Sequence, residues 1–256
     1  MDVRCSAFFL FVFSSLFAQA AEPLRALLIT GGCCHDYEAQ KKIITEGISA
    51  RANVTWTIVH EGDDREHKVS VYANPDWAKG YDVVVHNECF GKVAEVPFIE
   101  QIVRPHTNGV GAVMLHCSTH SYRESKSDEW RKLLGVSSYR HQKKQAFNVV
   151  NVNPEHPVMK GFPATFHDPE DELYEITKVW PNCVPLGKGQ TPGNEKDEHV
   201  SIWVNTYGKG RVFGTTLGHL NDTMKTDTYL ALITRGLLWS CGKLDDKGEP
   251  MPGYGK

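Results

Sequence analysis

Leu24-Arg25-Ala26-Leu27-Leu28-Ile29-Thr30, followed at once by Gly31-Gly32, is a short apolar run that ends on two glycines. It reads as a strand buried on both faces that enters a tight turn, as strands of a parallel sheet do. The next segments keep the same rhythm. Ala39 to Ala50 carries Ile43, Ile44 and Ile48 at helical spacing, which predicts a crossover helix. Val54 to Val59 is rich in β-branched residues and predicts a second strand. Tyr81-Asp82-Val83-Val84-Val85-His86 and Val110 to Leu115 predict a third and a fourth. Between them Val96 to Thr107 predicts a helix stopped by Asn108-Gly109, and Ser127 to Leu134 predicts another, with Asp128 and Glu129 in its first turn. This alternation implies an α/β protein with helices on both faces of a mostly parallel sheet.

From Gln145 the pattern turns to strand-like pieces separated by Pro and Gly: Ala146 to Val152, Leu173 to Thr177, Val200 to Asn205 and Arg211 to Thr216. The last two flank Tyr207-Gly208-Lys209-Gly210, a hairpin signal. Thr226 to Cys241 predicts a closing amphipathic helix. Residues 22–243 are expected to form one domain, followed by a flexible tail over 244–256.

Upstream, Met1 to Ala21 carries a single Arg (Arg4), an uncharged run from Ala7 to Phe13 and the small-x-small ending Ala18-Gln19-Ala20. That is the grammar of a cleaved export signal, periplasmic or secretory. The run is short of the ~20 apolar residues of a spanning helix, so no membrane association is expected after cleavage. A net charge of −3 shows no basic stripe, which argues against a nucleic-acid partner. Six cysteines remain beyond Cys5: Cys33, Cys34, Cys89, Cys117, Cys183 and Cys241. Export permits disulfides among them, but spacing alone does not choose the pairs, and without a CxxC pair most read as small buried hydrophobes. The oligomeric state is not readable.

Ligands of open parallel sheets bind beyond the carboxyl ends of the strands, and the polar residues there are the candidates. The first strand delivers His35, the third Glu88, the fourth His116, Cys117, His120, Tyr122 and Arg123, and the hairpin strand His219. Each alone has an ordinary reading as a cap, a solvated loop carboxylate or a core hydrogen-bonder. Together they point to one site. Cys117 stands where an elbow nucleophile would, without the small-residue pattern around it. Asp171-Glu172-Leu173-Tyr174, after His167-Asp168-Pro169, reads either as a surface turn or as a carboxylate reaching the site. Trp203 and Tyr122 are candidate stacking faces for a sugar. No cofactor is required, and the histidines leave room for a divalent metal of unassigned ligands.

In order along the chain, Ile29-Thr30-Gly31-Gly32 with His35, Tyr81 to Val85, Gly111 to His116, His156-Pro157-Val158 before Gly161, Asp171 to Tyr174, Tyr207 to Phe213, Thr216 to His219 and Arg235 to Trp239 resemble the ThuA-like (trehalose-utilisation) family, over roughly Leu24 to Lys243. The resemblance implies a flavodoxin-like three-layer sandwich of the class I glutamine amidotransferase type and a role in catabolism of trehalose-related sugars or 3-keto-sugars. It places function on His35, His116, His219 and Glu172. True glutamine amidotransferases carry a His-x-Glu pair where this chain has His219-Leu220-Asn221, which argues against glutaminase activity. The leading expectation is therefore an exported enzyme acting on a small carbohydrate by acid–base chemistry. His35 and His219 would trade protons, His116 and Arg123 would hold substrate oxygens, and Glu172 would orient a hydroxyl or water. Glu88, Cys117, His120, Tyr122 and Trp203 would complete the substrate pocket. A non-catalytic carbohydrate-binding protein and a metal-dependent hydrolase or isomerase are the alternatives.

Overall fold

The computed structural model describes residues 21–256, so the expected export signal lies almost wholly outside the described residues. In chain order the first half runs β1 (Leu24–Gly32), α1 (Tyr37–Ser49), β2 (Val54–His60), β3 (Val83–Cys89), α2 (Val96–Thr107), β4 (Gly111–Leu115) and α3 (Glu129–Leu134). The second half runs β5 (Val136–His141), β6 (Gln145–Asn151), β7 (Thr165–Asp171), β8 (Tyr174–Val179), β9 (Val184–Thr191), β10 (Asn194–Tyr207), β11 (Gly210–Thr215), α4 (Asn221–Met224) and α5 (Asp227–Ser240).

One large sheet has the order β2-β1-β3-β4-β11-β10-β9-β6-β7. From β2 to β11 all neighbours are parallel, and from β11 outward they are antiparallel. Strands β5 and β8 form a separate antiparallel pair. Two apolar cores flank the sheet. On one side Ile44 and Ile48 of α1 and Leu230, Ile233 and Leu237 of α5 pack on Leu28, Val85 and Val113. On the other Ile99 and Ile102 of α2 and Leu133 and Leu134 of α3 pack on Leu27, Val84 and Met114. Alternate residues of β1 thus feed opposite cores, which is why its sequence is apolar throughout. The result is the three-layer flavodoxin-like sandwich that the sequence led us to expect.

Two stretches run differently from the sequence reading. His167-Asp168-Pro169, for which a surface turn was one of two readings, lies within β7. Because β7 is the last strand of the sheet, the missing Pro169 N–H leaves no ladder bond unmade. Residues 244–256 do not hang free. Leu244 is buried, Asn53 N donates to Tyr254 O at 2.9 Å and Lys256 N to Arg51 O at 3.1 Å. Among the described residues no helix is long and apolar enough to cross a membrane.

Candidate functional site

Because β1, β4 and β11 run parallel, their carboxyl ends open on one edge of the sheet. His35, His116 and His219 follow these strands and meet there. His35 and His116 have ring centroids 4.9 Å apart, His35 and His219 4.8 Å, and His116 and His219 5.4 Å. Backbone geometry brings them in. Gly31 and Gly32 have φ of +134° and +100°, and side chains there would collide with the backbone of Glu61 and Cys89. Glycine is therefore required for β1 to turn out beside its neighbours. His116 itself sits at φ +40°, Cys34 at +86° and Tyr122 at +57°, a conformation that costs non-glycine residues of order 1–3 kcal/mol each. The strained residue at the end of β4 is thus His116, not Cys117.

His116 is 2 % exposed, and its Nδ1 donates to Thr216 O at 2.5 Å. A carbonyl can only accept, so the proton is fixed on Nδ1 and the other nitrogen, Nε2, turns toward Glu172. Glu172 enters from the β7–β8 connection. Its Oε2 lies 3.2 Å from His219 Nδ1, 3.5 Å from His116 Nε2 and 3.5 Å from His141 Nε2. The His219 contact lacks hydrogen-bonding geometry, and the Nδ1 atoms of both His219 and His35 are buried without a partner. Asp171, fully buried, accepts from the N–H of Gly218 at 2.8 Å, of His219 at 3.2 Å and of Glu172 at 2.7 Å. One carboxylate thereby ties the His219 loop to the strand that carries Glu172.

The charges follow this packing. Burial, reinforced by the neighbouring His116 and His219, pushes the His35 imidazole down to about 3. Burial also pulls on His116, but Glu172 and the charge of Asp171 outweigh it and its affinity for a proton is raised. Burial would lift the Glu172 carboxyl, yet the imidazoles of His116 and His219 hold it below the usual carboxylate range. His120, pushed down to about 3 by burial and then by Arg123 and His141, bonds Ser138 Oγ at 3.0 Å and stacks on Tyr174 with centroids 4.2 Å apart.

Above the cluster lies a cavity of about 200 Å³, whose lining includes Arg65, Arg123, His141, Tyr174 and the bonded cysteines. Cys33 pairs with Cys34 and Cys89 with Cys117. Cys117 therefore lines the pocket as half of a disulfide, not as a thiol, and Cys33, Cys34 and Cys89, which fell under the small-hydrophobe reading, are bonded as well. The Cys89–Cys117 pairing depends on β3 and β4 lying side by side, which spacing does not record. The Cys89–Cys117 bond closes a separation of 28 residues. Replacing both by Ser is expected to cost about 3 kcal/mol by loop closure, read as a fall in Tm of roughly 6–12 °C.

Three expected pocket residues lie elsewhere. Glu88 is fully buried inside β3, accepting from Tyr72 OH at 2.9 Å with His86 Nδ1 also at 2.9 Å. β3 runs three residues past His86, where the predicted strand ended, so the polar segment read as an exit loop is strand interior. Tyr122 is 1 % exposed and packs edge-on against Trp130. Trp203 is fully buried, its indole N–H donating to Leu134 O at 2.6 Å. Both are core aromatics. Conversely, Arg65 and His141 were not singled out, and Asp171 and Tyr174 were quoted only as part of the Asp171–Tyr174 segment, with no role of their own. Arg65 follows β2, whose carboxyl end the same strand-end rule would have searched.

One ring nitrogen from each of His35, His116 and His219 lies within 4.8 Å of the others, a donor set able to hold a metal ion.

No curated protein matches the chain. Among solved structures, a ThuA-like protein from Parabacteroides merdae shares 20 % identity with a TM-score of 0.71, over 91 % of this chain and 97 % of that one. A ThuA-like protein from Bacteroides uniformis shares 18 % with a TM-score of 0.65, over 93 % and 98 %. A β-galactosidase from Rahnella sp. R3 shares 15 % with a TM-score of 0.53, over 82 % of this chain and 31 % of that one. At these identities the likeness is one of fold. The family model described as trehalose utilisation, ThuA, matches residues 25–240, nearly the whole described chain, and the protein belongs to that family.

Proposed function

We propose that the protein is an exported enzyme of carbohydrate catabolism. It acts on a small sugar or keto-sugar of the trehalose type at the His35–His116–His219–Glu172 cluster. The observation that carries this reading is the convergence of four ionisable side chains, from four separate segments, on one buried spot beneath an open polar cavity. A merely structural cluster would be expected to satisfy its own polar atoms, whereas His35 Nδ1 and His219 Nδ1 are buried with no hydrogen-bond partner. Glu172 is the proton acceptor, the imidazoles polarise a substrate carbonyl or hydroxyl, and His120 on Tyr174 forms a flat wall for the ring. Arg123 donates to Tyr139 O, and neither it nor Arg65 pairs with a carboxylate among the described residues. Both keep N–H groups for substrate oxygens.

The test is a panel of trehalose, other glucosides and their 3-keto derivatives, followed by mass spectrometry and NMR of the products. Turnover by the wild type, reduced at least about 100-fold in His219→Ala, is the expected result. Sugars that raise Tm but are recovered intact would instead establish a binding protein. Turnover untouched by substitution of His116 or His219 would remove the cluster from the chemistry.

A further inference from the structure

We infer that His35, His116 and His219 form a three-histidine site for one divalent transition-metal ion, with zinc the reference occupant. The assignment rests on the reading of this cavity as the active site, and its geometry adds four observations. The three rings come from separate strand ends and meet nearly edge to face, with interplanar angles of 89°, 75° and 70°. Such rings do not stack on one another.

The second observation concerns lone pairs. With the His116 proton held on Nδ1 by Thr216 O, its Nε2 presents a lone pair, approached only at 3.4 Å by the Tyr174 hydroxyl, a long contact that a metal bond would replace. A backbone carbonyl on the far nitrogen is the usual outer-shell partner of a metal-bound imidazole, fixing both tautomer and ring orientation. Third, the Nδ1 atoms of His35 and His219 are buried with no hydrogen-bond partner. Buried polar atoms left in this state call for an explanation, and an unplaced ion is one. Fourth, the donor nitrogens lie within 4.8 Å of one another. Bonds of about 2.0–2.1 Å to a common ion require closer approach, which small rotations of the rings supply because no hydrogen bond restrains the free nitrogens of His35 and His219.

Donor type sets the class of ion. Three neutral imidazoles suit zinc, cobalt, nickel, copper or iron(II), and not magnesium or calcium, which prefer oxygen. Three protein ligands with a position left open toward a cavity is the arrangement of catalytic rather than structural zinc. Glu172 stands beside the trio, within reach of a water or hydroxyl held at the open position.

The experiment uses the full mature protein purified without chelator, then stripped by dialysis against dipicolinate. Elemental analysis of the first sample and titration of the second with Co²⁺ and Zn²⁺ are read together. Expected are close to one ion per chain, tetrahedral-type visible bands with cobalt, and a rise in Tm on zinc addition. Affinity should fall by more than about 100-fold in His116→Ala and in His219→Ala, and remain within about threefold in His141→Ala, which lies at the cavity rim. Circular dichroism confirms that each variant is folded, and His35→Asn serves as the trio variant if an alanine variant is not. Stoichiometry below one tenth with every ion, or undiminished binding by the folded trio variants, overturns the assignment. Metal uptake without sugar turnover would leave the site standing and remove the catalytic reading, while stoichiometry below one tenth together with turnover by the stripped protein would do the reverse.

Discussion

Glu172→Gln is expected to reduce kcat by about a thousandfold, some 4 kcal/mol of transition-state stabilisation, with KM changed by less than about threefold. Glutamine keeps the shape of the side chain and can still occupy the space between His116, His219 and His141. It cannot accept a proton at working pH, and it replaces a negative charge by an amide dipole. The wild-type carboxylate stands 3.2 Å from His219 Nδ1 and 3.5 Å from His116 Nε2, so both imidazoles lose the charge that orients them. Because the side chain is 12 % exposed and is not part of either apolar core, Tm should move by only a few degrees. A large loss of rate with little change in Tm or KM is the signature of a group that acts on the reacting atoms. Equal losses in Tm and rate, or a rate within tenfold of the wild type, would make Glu172 a structural anchor of the β7–β8 connection and leave the proton transfer to the histidines.

How much of this was legible in the sequence follows from what each signal records. Leu24 to Gly32 announces a buried parallel strand because apolar continuity is a local property, and the same holds for Val83 to Val85 and Gly111 to Leu115. Once those strands are parallel, the residues following them must share an edge, and His35 and His116 follow, joined by His219 after β11, which runs parallel to β4. Glu172 is different. It lies in the connection that follows β7, the strand at the far end of the sheet. The residues alone left that segment open between a surface turn and a carboxylate reaching the site, and family likeness decided for the site.

The misplacements have equally specific causes. Glu88 was assigned to a loop because hydropathy falls where backbone pairing continues, the strand tolerating His86 and Glu88 by satisfying them with each other and with Tyr72. Trp203 was read as a stacking face, yet it sits against Gly214 in the neighbouring strand, a large–small pair that no single-strand pattern exposes. β9 was hidden by Pro185, Gly187 and Gly189. The two glycines leave room for Ile202, Val149 and Leu173 to pack across the sheet.

Asp171 is the residue on which the remaining question of positioning turns, and Asp171→Asn is the sharper test of it. The carboxylate is fully buried and accepts three backbone N–H groups, from Gly218, His219 and Glu172. An asparagine presents one oxygen and one N–H₂ group, so at least one backbone donor would face another donor. Charge-assisted bonds contribute about 1.5–3 kcal/mol each, and a buried donor left without its acceptor costs a further 1–3 kcal/mol. A loss of about 4 kcal/mol follows, seen as a fall in Tm of roughly 8–16 °C for a domain of this size. The loop that Asp171 holds is the one that aims His219, and the adjacent peptide aims Glu172. A displacement of about 1 Å there can cost around 100-fold in rate. Measured at a temperature where the variant remains folded, kcat should therefore drop by about that factor with KM little changed. Restoring Tm by stabilising ligand or lower temperature should not restore kcat. If instead the folded variant turns over substrate at the wild-type rate, the Asp171 carboxylate holds the β7–β8 connection for stability alone, and His219 and Glu172 find their positions without it.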